Sequence, residues 1–155
     1  MTSPLINDHT ASSDRVLEVF GETVIIRRDP AGQILDAAVV EEIVPPGVGA
    51  PLHRHSREDE ISYVVAGSFR IWRSGEVLDI GPGGVALLPR DQAHTFQNVG
   101  STPGRLLTVI VPAGFERFFE AIVERGLAEG DDDQIAAVAA EFGLEILGPT
   151  PSIPA

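Results

Sequence analysis

Residues 47–67 read GVGAPLHRHSREDEISYVVAG. Successive side chains on a β-strand point to opposite faces, so His53 and His55, two apart, project into one space. A loop of four residues, Ser56 to Asp59, then returns the chain so that Glu60 faces them at the head of the apolar run Ile61 to Ala66. Two neutral imidazoles and a carboxylate on adjoining strands make three ligands for a divalent transition ion. A second segment, residues 83–98, reads GGVALLPRDQAHTFQN; His94 opens a strand there after a proline-containing turn and supplies a fourth ligand. Alone, a histidine pair at this spacing reads as an exposed polar strand edge. Glu60 and His94 at matching offsets turn that reading toward a metal. Glu58 is the alternative carboxylate, because strand alternation lets only part of the acidic run 58–60 point inward. His9 lies in a polar stretch and reads as solvated.

Outward from this segment, residues 15–112 are a series of short apolar runs: Val24 to Ile26, Ala37 to Val44, Phe69 to Trp72, Val85 to Leu88 and Leu106 to Val111. Turn residues separate them at Asp29-Pro30, Pro45 to Gly47, Ser74-Gly75, Gly81 to Gly84 and Gly100 to Gly104. Strands of this length and spacing predict a mainly β domain, an antiparallel sandwich or barrel. After Pro112 the period changes. Phe115, Phe118, Phe119 and Ile122 fall on one helical face, predicting a helix that runs to about Gly130. Asp131 to Asp133 offer an N-cap for a second helix, with Gly143 just past its end and a short strand from Leu144 to Leu147. The expected layout is a flexible arm at 1–14, a β domain at 15–112, C-terminal helices and a short strand packed on that domain as an appendage at 113–148, and a frayed tail at 149–155.

A chain of 155 residues with 43% hydrophobic and 22% charged residues is an ordinary globular domain. It is long enough to bury roughly 68–70% of the surface the unfolded chain exposes. Eleven basic residues against twenty-three acidic give a formal charge of −12, the wrong sign for displacing counterions from nucleic acid or approaching anionic membranes. No apolar run is long enough to span a bilayer, and no secretion signal is evident, so a cytoplasmic address is expected. Cysteine is absent, which removes disulfides and thiol chemistry, and every basic residue is arginine, which removes lysine nucleophiles.

The two segments together resemble the motifs of the cupin superfamily. The first motif is Gly, five residues, His-x-His, three or four residues, Glu, six residues, Gly; Gly47, His53, His55, Glu60 and Gly67 match it. The second is Gly, five residues, Pro-x-Gly, two residues, His, three residues, Asn; Gly83, Pro89, His94 and Asn98 match it. Asp91 stands where that motif has its second glycine, and aspartate tolerates the left-handed backbone the turn requires. The resemblance covers about residues 35–112. It implies a jelly-roll β-barrel with one divalent transition metal ion (Fe, Mn, Ni, Cu, Co or Zn) held by His53, His55, Glu60 and His94. Gly67, Pro89 and Asn98 would be structural positions.

Within that family the arrangement resembles small single-domain cupins of the quercetin-dioxygenase-like type. The resemblance therefore implies a metal-dependent oxygenase acting on a small enolic or phenolic compound, with Glu60 in a catalytic role as ligand and proton carrier. A Lewis-acid isomerase, cyclase or decarboxylase uses the same ligand set. A module that binds a metal and a small ligand without catalysis is the reading from a different class. Strand parity assigns Ser62, Val64 and Phe96 to the pocket wall, or else to plain core. Trp72 and Arg70 share a face that reads as solvent-exposed or as a dimer contact, and the Phe115 cluster reads as core packing. Cupins commonly pair, so a homodimer is expected, with a small molecule as the other partner and neither nucleic acid nor membrane.

Overall fold

The computed structural model describes residues 14–27 and 35–152. The expectations for the arm at 1–13 with His9, for the Asp29-Pro30 break and for residues 153–155 lie outside the described residues. In chain order the elements are β1 (Arg15–Val19), β2 (Glu22–Arg27), β3 (Ala38–Val44), β4 (Leu52–His55), β5 (Asp59–Ala66) and β6 (Phe69–Arg73). They continue with β7 (Glu76–Ile80), β8 (Val85–Leu88), β9 (His94–Asn98), β10 (Gly104–Val111), α1 (Arg117–Glu124), α2 (Asp132–Glu141) and β11 (Leu144–Gly148).

Alternation explains the strands. In β5, Glu60, Ser62 and Val64 are buried while Ile61, Tyr63 and Val65 face out. Among the described residues all pairings are antiparallel and form two sheets, ordered β1-β2-β3-β10-β5-β8 and β11-β4-β9-β6-β7. This is a jelly-roll sandwich, mainly β as the spacing predicts. One expectation changes: β4 and β5 do not adjoin. The loop between them crosses from one sheet to the other, so the histidines and Glu60 meet across the interior.

The C-terminal helices and strand pack on the sandwich. Helix α1 ends earlier than Gly130, because Gly126 takes a left-handed φ of 65° and stops it. Gly143, with φ 71°, ends α2 as expected. The chain then re-enters the second sheet as β11, pairing Leu144 with His55 and Ile146 with His53. Thr150, in the stretch expected to fray, donates its hydroxyl to the Ala50 carbonyl at 2.5 Å. The helices pack Phe118, Ile122, Ile135 and Val138 into the main core with Leu17, Val24 and Ile26. Among the described residues no helix is long and apolar enough to cross a membrane.

Asn98 locks one end of the sandwich. It is fully buried, and its amide nitrogen donates to the carbonyls of Val44 (2.9 Å) and Thr102 (2.8 Å). Its side-chain oxygen accepts from the Gly100 N–H at 2.9 Å. Gly67 and Gly104 pass so close that a Cβ on Gly67 would lie 2.7 Å from the Gly104 Cα. Asn98→Ala strands buried backbone groups, and we expect it to lower stability by about 3 kcal/mol. Urea unfolding monitored by circular dichroism should show a lower midpoint at unchanged slope. An unchanged midpoint would remove Asn98 from this structural role.

Candidate metal centre

Two sheets supply the cluster. Strand β4 presents His53 and His55 inward, and β9 places His94 directly opposite His53. Strand β5, in the facing sheet, presents Glu60. Neither edge of β4 is open: β9 covers one and β11 the other. The β8–β9 turn is tied to the same strand, because the Asp91 N–H donates to the His55 carbonyl at 2.7 Å. Asp91 adopts φ 64°, as its place in the turn requires; its side chain is exposed rather than in the cavity.

One ligand atom from each of His53, His55, Glu60 and His94 lies within 4.8 Å of all the others, and all four residues are buried. The Glu60 Oε2 is 3.1 Å from the His94 Nε2 and 3.5 Å from the His55 Nε2. The opposite ring nitrogens are engaged elsewhere. The His53 Nδ1 is 2.7 Å from the Pro51 carbonyl and the His94 Nδ1 is 3.0 Å from the Gln92 carbonyl, contacts that fix Nδ1 as the protonated nitrogen. The His55 Nδ1 faces the Glu58 carboxylate at 3.6 Å. Glu58, the alternative ligand by sequence, therefore stands behind His55, where a carboxylate orients a ligating imidazole.

Electrostatics agree with a cation site. Burial, reinforced by His94 and His55, drives the His53 imidazole down to about 3, so it stays neutral with a lone pair free. Burial alone would raise Glu60; the neighbouring imidazoles, His55 foremost, outweigh it and hold the carboxyl at about 2. Both His55 nitrogens are buried without a hydrogen-bond partner among the described residues. Buried imidazole nitrogens left unpaired are costly, and a coordinated ion would use the one that faces Glu60. Three imidazoles and a carboxylate suit a divalent first-row transition ion, so the donor set fits the group the motifs imply.

His53, Glu60 and His94 open onto a cavity of about 110 Å³. Ser62 and Phe96 line it, as strand parity predicts. Val64 does not: it sits in a separate core cluster with Val44, Phe69 and Leu106. Phe115, Phe118 and Phe119 belong to the core and also wall the cavity, with the Phe115 ring edge-on to His55 at 4.3 Å. Sequence reasoning missed Thr108, Glu22 and Glu42, which also line the cavity. The signal was present for Glu42, which lies two residues from Val40 and from Val44 and therefore on their buried face.

Residues 40–110 match the family model of the cupin domain. The chain is 32% identical over 68 residues to an oxalate-binding protein of Thermotoga maritima, covering 44% of this chain and 56% of that one. It is 25% identical over 115 residues to quercetin 2,3-dioxygenase of Bacillus subtilis, covering 73% of this chain and 33% of that one. It thus spans little more than half of the first relative and a third of the second. Among solved structures, KdgF from Halomonas sp. superposes with a TM-score of 0.60 at 21% identity, covering 68% of this chain and 93% of that one, which shows a shared fold.

Glu58→Gln tests the role assigned to Glu58. Loss of the charge behind His55 should weaken metal affinity roughly 10-fold or more without removing the site. Competition against a chromogenic chelator measures it, and unchanged affinity would mean that Glu58 does not position His55.

Proposed function

We propose that this chain, a cupin by its domain match and its fold, holds one divalent transition metal on His53, His55, Glu60 and His94 and acts as an oxygenase on a small enolic or phenolic compound. The observation that carries the proposal is the convergence of these four buried side chains from facing sheets, three of them at the wall of an aromatic-lined cavity. The names of the relatives, quercetin 2,3-dioxygenase and oxalate-binding protein, support a small oxygen-rich ligand. A bound metal would supply Lewis acidity and a place for dioxygen chemistry.

The chain's own residues do the rest. Each Nδ1 faces an oxygen acceptor, which directs the three Nε2 lone pairs together. With those nitrogens committed, Glu60 is the group of the four that can take a proton from an enol or phenol as it binds, and return it later. Phe96 and the Phe115, Phe118, Phe119 cluster exclude water and offer flat apolar faces to a planar ligand. An isomerase, cyclase or decarboxylase would use the same residues, and so would a binder that returns its ligand unchanged.

Elemental analysis of tag-free protein beside a His53→Ala, His94→Ala variant should find near-stoichiometric transition metal in the former and none in the latter. The loaded protein should then consume oxygen with members of an enolic and phenolic panel. A wild type that carries no metal and refuses added metal would overturn the proposal. Product without oxygen uptake would replace the oxygenase with Lewis-acid chemistry, and a ligand bound but recovered unchanged would leave a binding module.

A further inference from the structure

The inner face of the first sheet carries a polar track that the metal centre does not use. In the sheet register Glu60 lies opposite Ile110, Ser62 opposite Thr108, and Glu42 opposite Leu106 and Val24. Glu22 precedes Val24 by two residues on the same face of β2. The track therefore runs diagonally from Glu60 through the Ser62–Thr108 hydroxyl pair, hydrogen-bonded at 2.9 Å, to Glu42 and Glu22. All five residues border the same cavity.

Glu22 and Glu42 differ from the other buried carboxylates of this sheet. Glu41, one residue away, points to the outer face, where it pairs with Arg27 at 2.7 Å and with Arg105. Glu42 and Glu22 are 8% and 7% exposed, and neither has a hydrogen bond or an ion pair with any described residue. Two carboxyl groups buried side by side, with no cation beside them among the described residues, keep protons rather than both staying ionised. Burial lifts Glu22 to about 8 and, joined by repulsion from Glu22 and Glu60, lifts Glu42 well above the ordinary range. A protonated carboxyl in a cavity wall offers one donor and one acceptor and carries no charge.

We propose that Glu22 and Glu42 are the second anchor of the ligand: a pair of uncharged carboxylic acids that hydrogen-bonds an uncharged hydroxyl or carbonyl on the part of the ligand distal to the metal centre. The inference rests on reading His53, His55, Glu60 and His94 as the place where the ligand's first oxygens bind. It narrows the ligand class to small compounds with an oxygen chelate at one end and a neutral polar oxygen at the other. A ligand with a distal ammonium is disfavoured, because the acids would have to lose protons to meet it. A ligand with a distal alkyl group leaves both acids unpaired.

Three isosteric catechols separate these cases on the zinc-loaded protein: 3,4-dihydroxybenzyl alcohol, 4-ethylcatechol and 3,4-dihydroxybenzylamine. By calorimetry the alcohol should bind about fivefold tighter than either of the others. The preference should survive in a Glu22→Gln, Glu42→Gln variant, which keeps neutral hydrogen-bonding groups, and vanish in Glu22→Met, Glu42→Met. The Met variant should fold, since it removes unpaired polar groups from an apolar site. Infrared spectra at pH 7 should show the carbonyl band of protonated carboxyls in the wild type and lose it in both variants. Equal binding of the three catechols, a preference for the amine that Gln abolishes, or no protonated carboxyl band would overturn the anchor while leaving the metal centre standing. Failure of all three to bind the zinc-loaded protein would overturn the metal-centre reading and the anchor with it.

Discussion

Three imidazoles and a carboxylate are buried against one another between two sheets, and most of the local architecture serves to hold them there. An ionised Glu60 beside a neutral His53 in a poorly solvated place is unfavourable unless positive charge completes the cluster. A divalent ion bound by three imidazoles and one carboxylate would supply that charge.

The supports of the cluster are local and identifiable. His53 and His94 are fixed by carbonyls two residues away, so their tautomers follow from the backbone course of β4 and β9. His55 depends on Glu58 and on the Phe115 ring, and thus on the segment that leads into α1. The helices and β11 cover the second edge of β4 and bring aromatic walls to the cavity. The C-terminal third of the chain thereby becomes part of the site.

Much of this was legible in the sequence because a period of two leaves little freedom. His53, His55, Glu60 and His94 could be placed on one interior from spacing, and the apolar runs marked most of the strands. What escaped has physical reasons. A four-residue loop can join neighbouring strands or cross between sheets, so spacing could not show that Glu60 faces the histidines from the opposite layer. Val64 has the parity of Ser62 but lies farther along β5, where Phe69 and Leu106 fill the interior. Glu42 was read as part of an apolar run, since a carboxylate on a buried face runs against the usual pairing of charge with solvent. Gly126 stopped α1 inside a stretch whose apolar period continued.

The measurement that tests the account most directly is X-ray absorption at the cobalt edge of the cobalt-loaded protein. The account predicts the multiple scattering of three imidazoles with a carboxylate oxygen, falling to two imidazoles in His55→Ala. A spectrum of oxygen donors alone, or one that His55→Ala leaves unchanged, would contradict it.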